Sequence, residues 1–173
     1  GLPLPLLPLQ ILYLNLVTDV LPAFALAMGE GAHDVLQRPP RDPREPILGR
    51  AQWIGIVAHG LALAAATFGA LIMARLWLDL DERASVTVTF LTLAFAQLWH
   101  VLDMRESRSR LLRNEITSNP WVWGALALCS LLLIVPVYLP AVAHVLHLGR
   151  PDAAMWLVIL GASLAPLAVI WAA

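Results

Sequence analysis

Pro8-Leu-Gln-Ile-Leu-Tyr-Leu-Asn15-Leu-Val-Thr18-Asp19-Val-Leu-Pro22-Ala-Phe-Ala-Leu-Ala-Met28 is mostly apolar, yet it carries a carboxylate near its middle. An unbroken apolar run of about 17–25 residues has the length of a membrane-spanning helix. Four more runs of that length follow, at 52–78, 85–102, 120–139 and 153–172. The pattern predicts an all-α fold, a polytopic transmembrane helix bundle with spans over 8–28, 52–78, 85–102, 120–139 and 153–172. Pro22, Pro136 and Pro166 fall inside these runs. They would break soluble helices, but neighbouring helices re-satisfy the freed backbone groups in membranes.

Composition points the same way. Of 173 residues, 60% are hydrophobic and only 13% charged, against roughly 25% charged in ordinary soluble domains. Mean hydropathy is +0.75. A soluble chain of this size lacks the polar cover to hide so much apolar surface, which excludes a soluble enzyme, a disordered chain and a nucleic-acid binder. The net charge of -1, with arginine supplying all eleven basic residues, offers no basic field for nucleic acid. Nor is there a phosphate-binding glycine loop or a C-x-x-C pair. The single Cys129 sits in an apolar run and reads as a small buried hydrophobe. The opening at Gly1 has neither a basic n-region nor an A-x-A site, so no signal peptide is expected there. The chain is expected to be a piece of something longer.

The connectors set the expected orientation. Residues 29–50 carry Arg38, Arg41, Arg44 and Arg50, and residues 104–119 carry Arg105, Arg108, Arg110 and Arg113. Eight of eleven arginines therefore fall in alternate connectors, which the positive-inside rule places in the cytoplasm. The alternation fits five consecutive crossings. Trp53, Trp77, Trp99, Trp121 and Trp156 fall near span ends or in outer turns, as an aromatic belt would. The stretch from Arg38 to Pro46 has four prolines in nine residues and predicts an extended, stiff strut.

Ionisable side chains inside spans need a reason, because each costs roughly 2.5–3.5 kcal/mol on insertion scales. Asn15 and Asp19 share a helix face, with Thr18 beside them. Pro22 cannot donate to the carbonyl of Thr18, four residues earlier. A loosened carbonyl, a carboxylate, an amide and a hydroxyl form an oxygen nest of the kind hard cations accept. The alternative is an interhelical hydrogen-bond cluster that only joins helices. Gln97, His100 and Asp103 lie on one drifting stripe of the third span. Gln97, the deepest, would add an amide oxygen to a neighbouring site or make a helix-to-helix bond. His100 and Asp103 would pair or meet water. His59, among Gly55, Gly60 and Ala62, reads as a packing residue at a close helix contact. His144 and His147 are too few for a metal by themselves. Haem held between His59 and His100 would need the two to face each other at equal depth.

Asn15-Leu-Val-Thr-Asp19, followed by Leu21-Pro22-Ala23, Arg38-Pro-Pro-Arg and Glu45-Pro-Ile-Leu48, resembles the P-type cation-transporting ATPases, in particular the calcium-pump-like type II group. The likeness covers the whole chain as the carboxyl-terminal half of the membrane domain, from the family's sixth helix to its tenth. The later four helices match by hydropathy and spacing. The resemblance implies that Asn15, Thr18 and Asp19 are metal ligands for the transported cation, with Gln97 where the family often has an amide. It implies calcium or another divalent cation as cargo, with magnesium and ATP used by the full-length parent. It further implies membrane lipid and the parent's remaining transmembrane helices and cytoplasmic domains as partners, and the plasma (cell inner) membrane as location. Two departures stand out. The eighth-helix glutamate of the two-site calcium pump corresponds to Ala94, which argues for one ion per cycle. Val20 replaces the glycine common after the sixth-helix aspartate. The phosphorylation motif Asp-Lys-Thr-Gly-Thr does not occur in these residues, so no catalytic residue and no ATP hydrolysis is expected of them. A non-catalytic membrane scaffold and an Asp19-dependent secondary transporter stand as the alternatives.

Overall fold

The structure, a computed structural model, describes residues 4–29, 48–103 and 116–172. The Pro-Arg strut and the arginines of 104–113 lie outside the described residues. Among the described residues every regular element is helical.

The first element, α1 (Pro8–Asn15), starts on a proline, whose missing N–H is one a helix start leaves unbonded in any case. Gln10 then reaches back, its Oε1 accepting from the Leu7 N–H at 3.1 Å while its Nε2 donates to the Leu146 carbonyl at 2.9 Å. A π-helical turn (Leu16–Val20) separates α1 from α2 (Leu21–Ala27). There follow α3 (Arg50–Ile72), which ends in a second π turn (Met73–Trp77), and α4 (Glu82–His100), extended by a 3-10 turn (Val101–Asp103). Then come α5 (Pro120–Tyr138), the short α6 (Pro140–Val145) and α7 (Ala153–Ala172). Among the described residues four stretches are long and apolar enough to cross a membrane, namely Pro8–Ala27, Gln52–Trp77, Glu82–Asp103 and Pro120–Tyr138; within α7, Ala153–Ala168 is apolar.

The helices pack in two groups. In one, α4 packs on both α3 and α7, and α3 on α7; in the other, α2 packs on α5. The central position of α4 follows from its sequence. Ser85, Thr87, Thr89 and Thr92 are fully buried on it, and hydroxyls turned to lipid would gain nothing. Instead Thr87 and Thr89 bond back to the carbonyls of Arg83 and Ser85, each at 2.8 Å. Thr87 also accepts from the Gly149 N–H at 2.7 Å. Asp81 caps α4, accepting from the Ala84 N–H at 2.7 Å, and Arg83 donates to carbonyls at 148 and 143, at the end of α6, where a cation suits the helix dipole.

The second group is held by side-chain bonds along its seam. Tyr13 donates to the Leu132 carbonyl at 2.6 Å and Asn119 Nδ2 to the Ala25 carbonyl at 3.0 Å. The outward faces are apolar: Leu12, Leu16 and Phe24 on the first helices, and Ile54, Val57 and Leu61 on α3, are exposed. Trp53, Trp77 and Trp121 are exposed near helix ends, as a belt requires. Trp99 and Trp156 are half-buried instead, Trp99 donating to Ser163 Oγ at 3.2 Å and Trp156 to the exposed Tyr138 OH at 3.0 Å. Gly55 and Gly60 also differ from expectation. A Cβ at either would meet nothing within 4 Å, so among the described residues neither makes a close helix contact.

Candidate functional site

The two helix groups meet where α5 and the first π turn touch α4. The turn's location has a local cause. A π turn bonds each carbonyl to the N–H five residues on, and Pro22, with no N–H, stands five residues after Val17. The expectation placed the freed carbonyl at Thr18; in the π pattern the proline faces Val17 instead. A side chain serves that carbonyl: Cys129 of α5 donates its thiol to Val17 O at 3.1 Å. Cys129 is fully buried, as expected, but it is a hydrogen-bond donor as well as a small hydrophobe. Nothing in sequence spacing pairs residues 112 apart, so this role was not readable beforehand.

Beside this turn the oxygens converge. Thr18 is buried, and its Oγ1 lies 3.0 Å from the Leu14 carbonyl, 3.0 Å from Gln97 Oε1 and 3.2 Å from Asp19 Oδ1. The structure thus brings Thr18, Asp19 and Gln97 together across the π turn and α4. Asn15 stays apart: it is exposed, as is Asp19, and among the described residues no hydrogen bond joins it to the cluster. One hydroxyl has one proton to donate, and here three acceptor oxygens stand within its reach. Such a surplus of acceptors is the electrostatic setting that a hard cation relieves. Ala94, one turn before Gln97 on α4, is fully buried and adds no oxygen.

The family described as "Cation transporting ATPase, C-terminus" matches residues 3–173. The chain belongs to the cation-transporting ATPases. It is similar to the "Calcium-transporting ATPase" of Bacillus subtilis (strain 168), at 37% identity over 166 residues, covering 96% of this chain and 18% of that protein. The chain therefore spans about a fifth of the curated relative it matches. This ATPase segment is an integral, multi-pass membrane protein, and its helices are those of a P-type ATPase membrane domain.

The histidines of the segment divide. His144 and His147 stack at a centroid separation of 6.4 Å and gather no third ligand among the described residues. His59 and His100 do face each other, with ring centroids 3.6 Å apart and planes tilted by 34°. Rings that close leave no room for a porphyrin and its iron between them, which excludes bis-histidine haem on geometry. His59 therefore packs through its ring against His100.

Proposed function

We propose that the chain forms the membrane part of an ATP-driven pump for calcium or another divalent cation, and that Asn15, Thr18, Asp19 and Gln97 supply part of its ion site. The observation that carries this reading is the single Thr18 hydroxyl set among three acceptor oxygens. A dehydrated calcium ion needs several oxygens at about 2.3–2.6 Å, and Asp19 provides the negative charge. A carboxylate in a membrane is stabilised by the ion it holds, and the ion by the carboxylate. Asp19 and Asn15 are both exposed, and the parent's remaining transmembrane helices would complete the coordination. The buried Ala94 in place of an acid supports one ion per cycle. Magnesium and ATP act in the parent's cytoplasmic domains, and the plasma membrane is the proposed location.

A second reading, interhelical joining alone, is favoured by the same Thr18–Gln97 contact, since it links the π turn to α4. Asp19→Asn separates the two. It keeps the shape and the hydrogen bonding and removes the charge. In the full-length parent it should abolish calcium-dependent phosphorylation from ATP while the protein still inserts. Phosphorylation at unchanged calcium concentration dependence would leave only the joining role.

A further inference from the structure

His59 on α3 and His100 at the end of α4 do more than stack. His59 Nε2 and His100 Nδ1 are both buried, and neither has a hydrogen-bond partner among the described residues. Each neutral imidazole carries one donor and one acceptor nitrogen. Buried polar atoms are nearly always partnered, and an orphaned one is destabilising. Here two orphans sit side by side on adjacent helices. One turn beyond His100 stands Asp103, and ligand atoms of His59, His100 and Asp103 all lie within 4.8 Å of one another. A tetrahedral zinc site with bonds of about 2.0–2.2 Å holds its ligand atoms roughly 3.4 Å apart. Closing on an ion thus shortens ligand-atom separations of up to 4.8 Å by about 1.4 Å at most, while the two ring bodies, now 3.6 Å apart at their centroids, swing apart so that their nitrogens converge on the ion.

We propose that His59, His100 and Asp103 form a second metal site, for a borderline divalent ion such as Zn2+, with water as the fourth ligand. The donor set decides the class of ion. Imidazole nitrogen suits zinc and its first-row neighbours, whereas calcium selects oxygen. The site is therefore chemically distinct from the oxygen cluster, although His100 follows Gln97 by three residues on α4. Its ion would clip α3 to α4 beside the residue that reaches the Thr18 hydroxyl, a placement suited to a regulatory metal rather than to cargo.

The test uses the purified full-length pump, stripped of transition metals and held in saturating calcium to fill oxygen sites. Co2+ is the probe, with Zn2+ as competitor. The wild type should develop the intense visible absorption of a tetrahedral cobalt site, bleached by one equivalent of Zn2+. His59→Gln and His100→Gln should each remove the band and weaken Zn2+ binding at least tenfold, and Asp103→Asn should shift the band and weaken binding less. A wild type without the band, as expected if the two rings only share a proton, overturns the proposal whatever the variants do. So does a His59→Gln/His100→Gln double variant that binds Zn2+ with unchanged stoichiometry and affinity.

Discussion

Replacing Thr18 by valine keeps the side-chain volume and removes one hydroxyl. In the structure that hydroxyl lies within 3.2 Å of the Leu14 carbonyl, Gln97 Oε1 and Asp19 Oδ1. Two consequences differ in size. For folding, the variant loses the donor shared by three acceptors. Leu14 O retains its place in the helix, so the loss is that of one ordinary bond, about 1 kcal/mol. For ion binding, on the proposed assignment of Thr18, the variant loses a ligand oxygen next to a charged one. Hydrogen bonds and contacts to charged groups are worth about 1.5–3 kcal/mol, which is roughly tenfold or more in apparent affinity. The assay is calcium-dependent phosphorylation of the full-length pump, titrated with calcium, beside a thermal unfolding measurement on the same preparations. Apparent calcium affinity should fall about tenfold while stability shifts by about 1 kcal/mol. Thr18→Ser restores the hydroxyl and should restore the affinity. A Thr18→Val pump with normal calcium affinity and lowered stability would refute the reasoning, because the hydroxyl would then only join helices.

Other predictions concern the surroundings of the site. Cys129→Ala removes the donor to Val17 O and trims a buried side chain. It should destabilise the pump by about 1–3 kcal/mol, read as thermal inactivation, with Cys129→Ser milder because it keeps a donor. Asn119→Ala deletes both the cap of α5 and the bond to Ala25 O, and a loss of about 1–2 kcal/mol should appear in the same inactivation assay. Asp42→Cys and Asp81→Cys should label from opposite sides of the membrane, and labelling from one side would discard the five-span orientation. Replacing Arg38, Pro39, Pro40 and Arg41 with Gly/Ser should lower phosphorylation or turnover without loss of insertion.

Much of the fold was readable because lipid imposes a single strong rule: a spanning helix must be long and apolar. The helices at 8–27, 52–77, 82–103 and 120–138 stand within a few residues of the runs seen in the sequence. The local break at the first span was also readable in outline, since Pro22 withdraws a donor whatever the fold. Its form was not, because an α or a π register depends on whether something serves the carbonyl left over, and that partner, Cys129, is supplied by a distant helix. The same reason hid the His59–His100 stack. Facing rings require the rotation of α3 about its axis relative to α4, which hydropathy does not specify. Thr18, Asp19 and Gln97 were legible as polar residues that lipid would not tolerate without purpose, and only packing could place Gln97 against Thr18. Asn15 was grouped with Asp19 by helical spacing, and both are exposed. Spacing on one helix says nothing of which of its residues reaches the next, and here Thr18 does.

The most direct test is equilibrium binding of radiolabelled calcium to the purified full-length pump, without ATP, in wild type and Asp19→Asn. The account predicts one calcium ion bound per wild-type pump and none per Asp19→Asn pump at the same free calcium, with both proteins equally folded. An Asp19→Asn pump that binds one ion with wild-type affinity would contradict it.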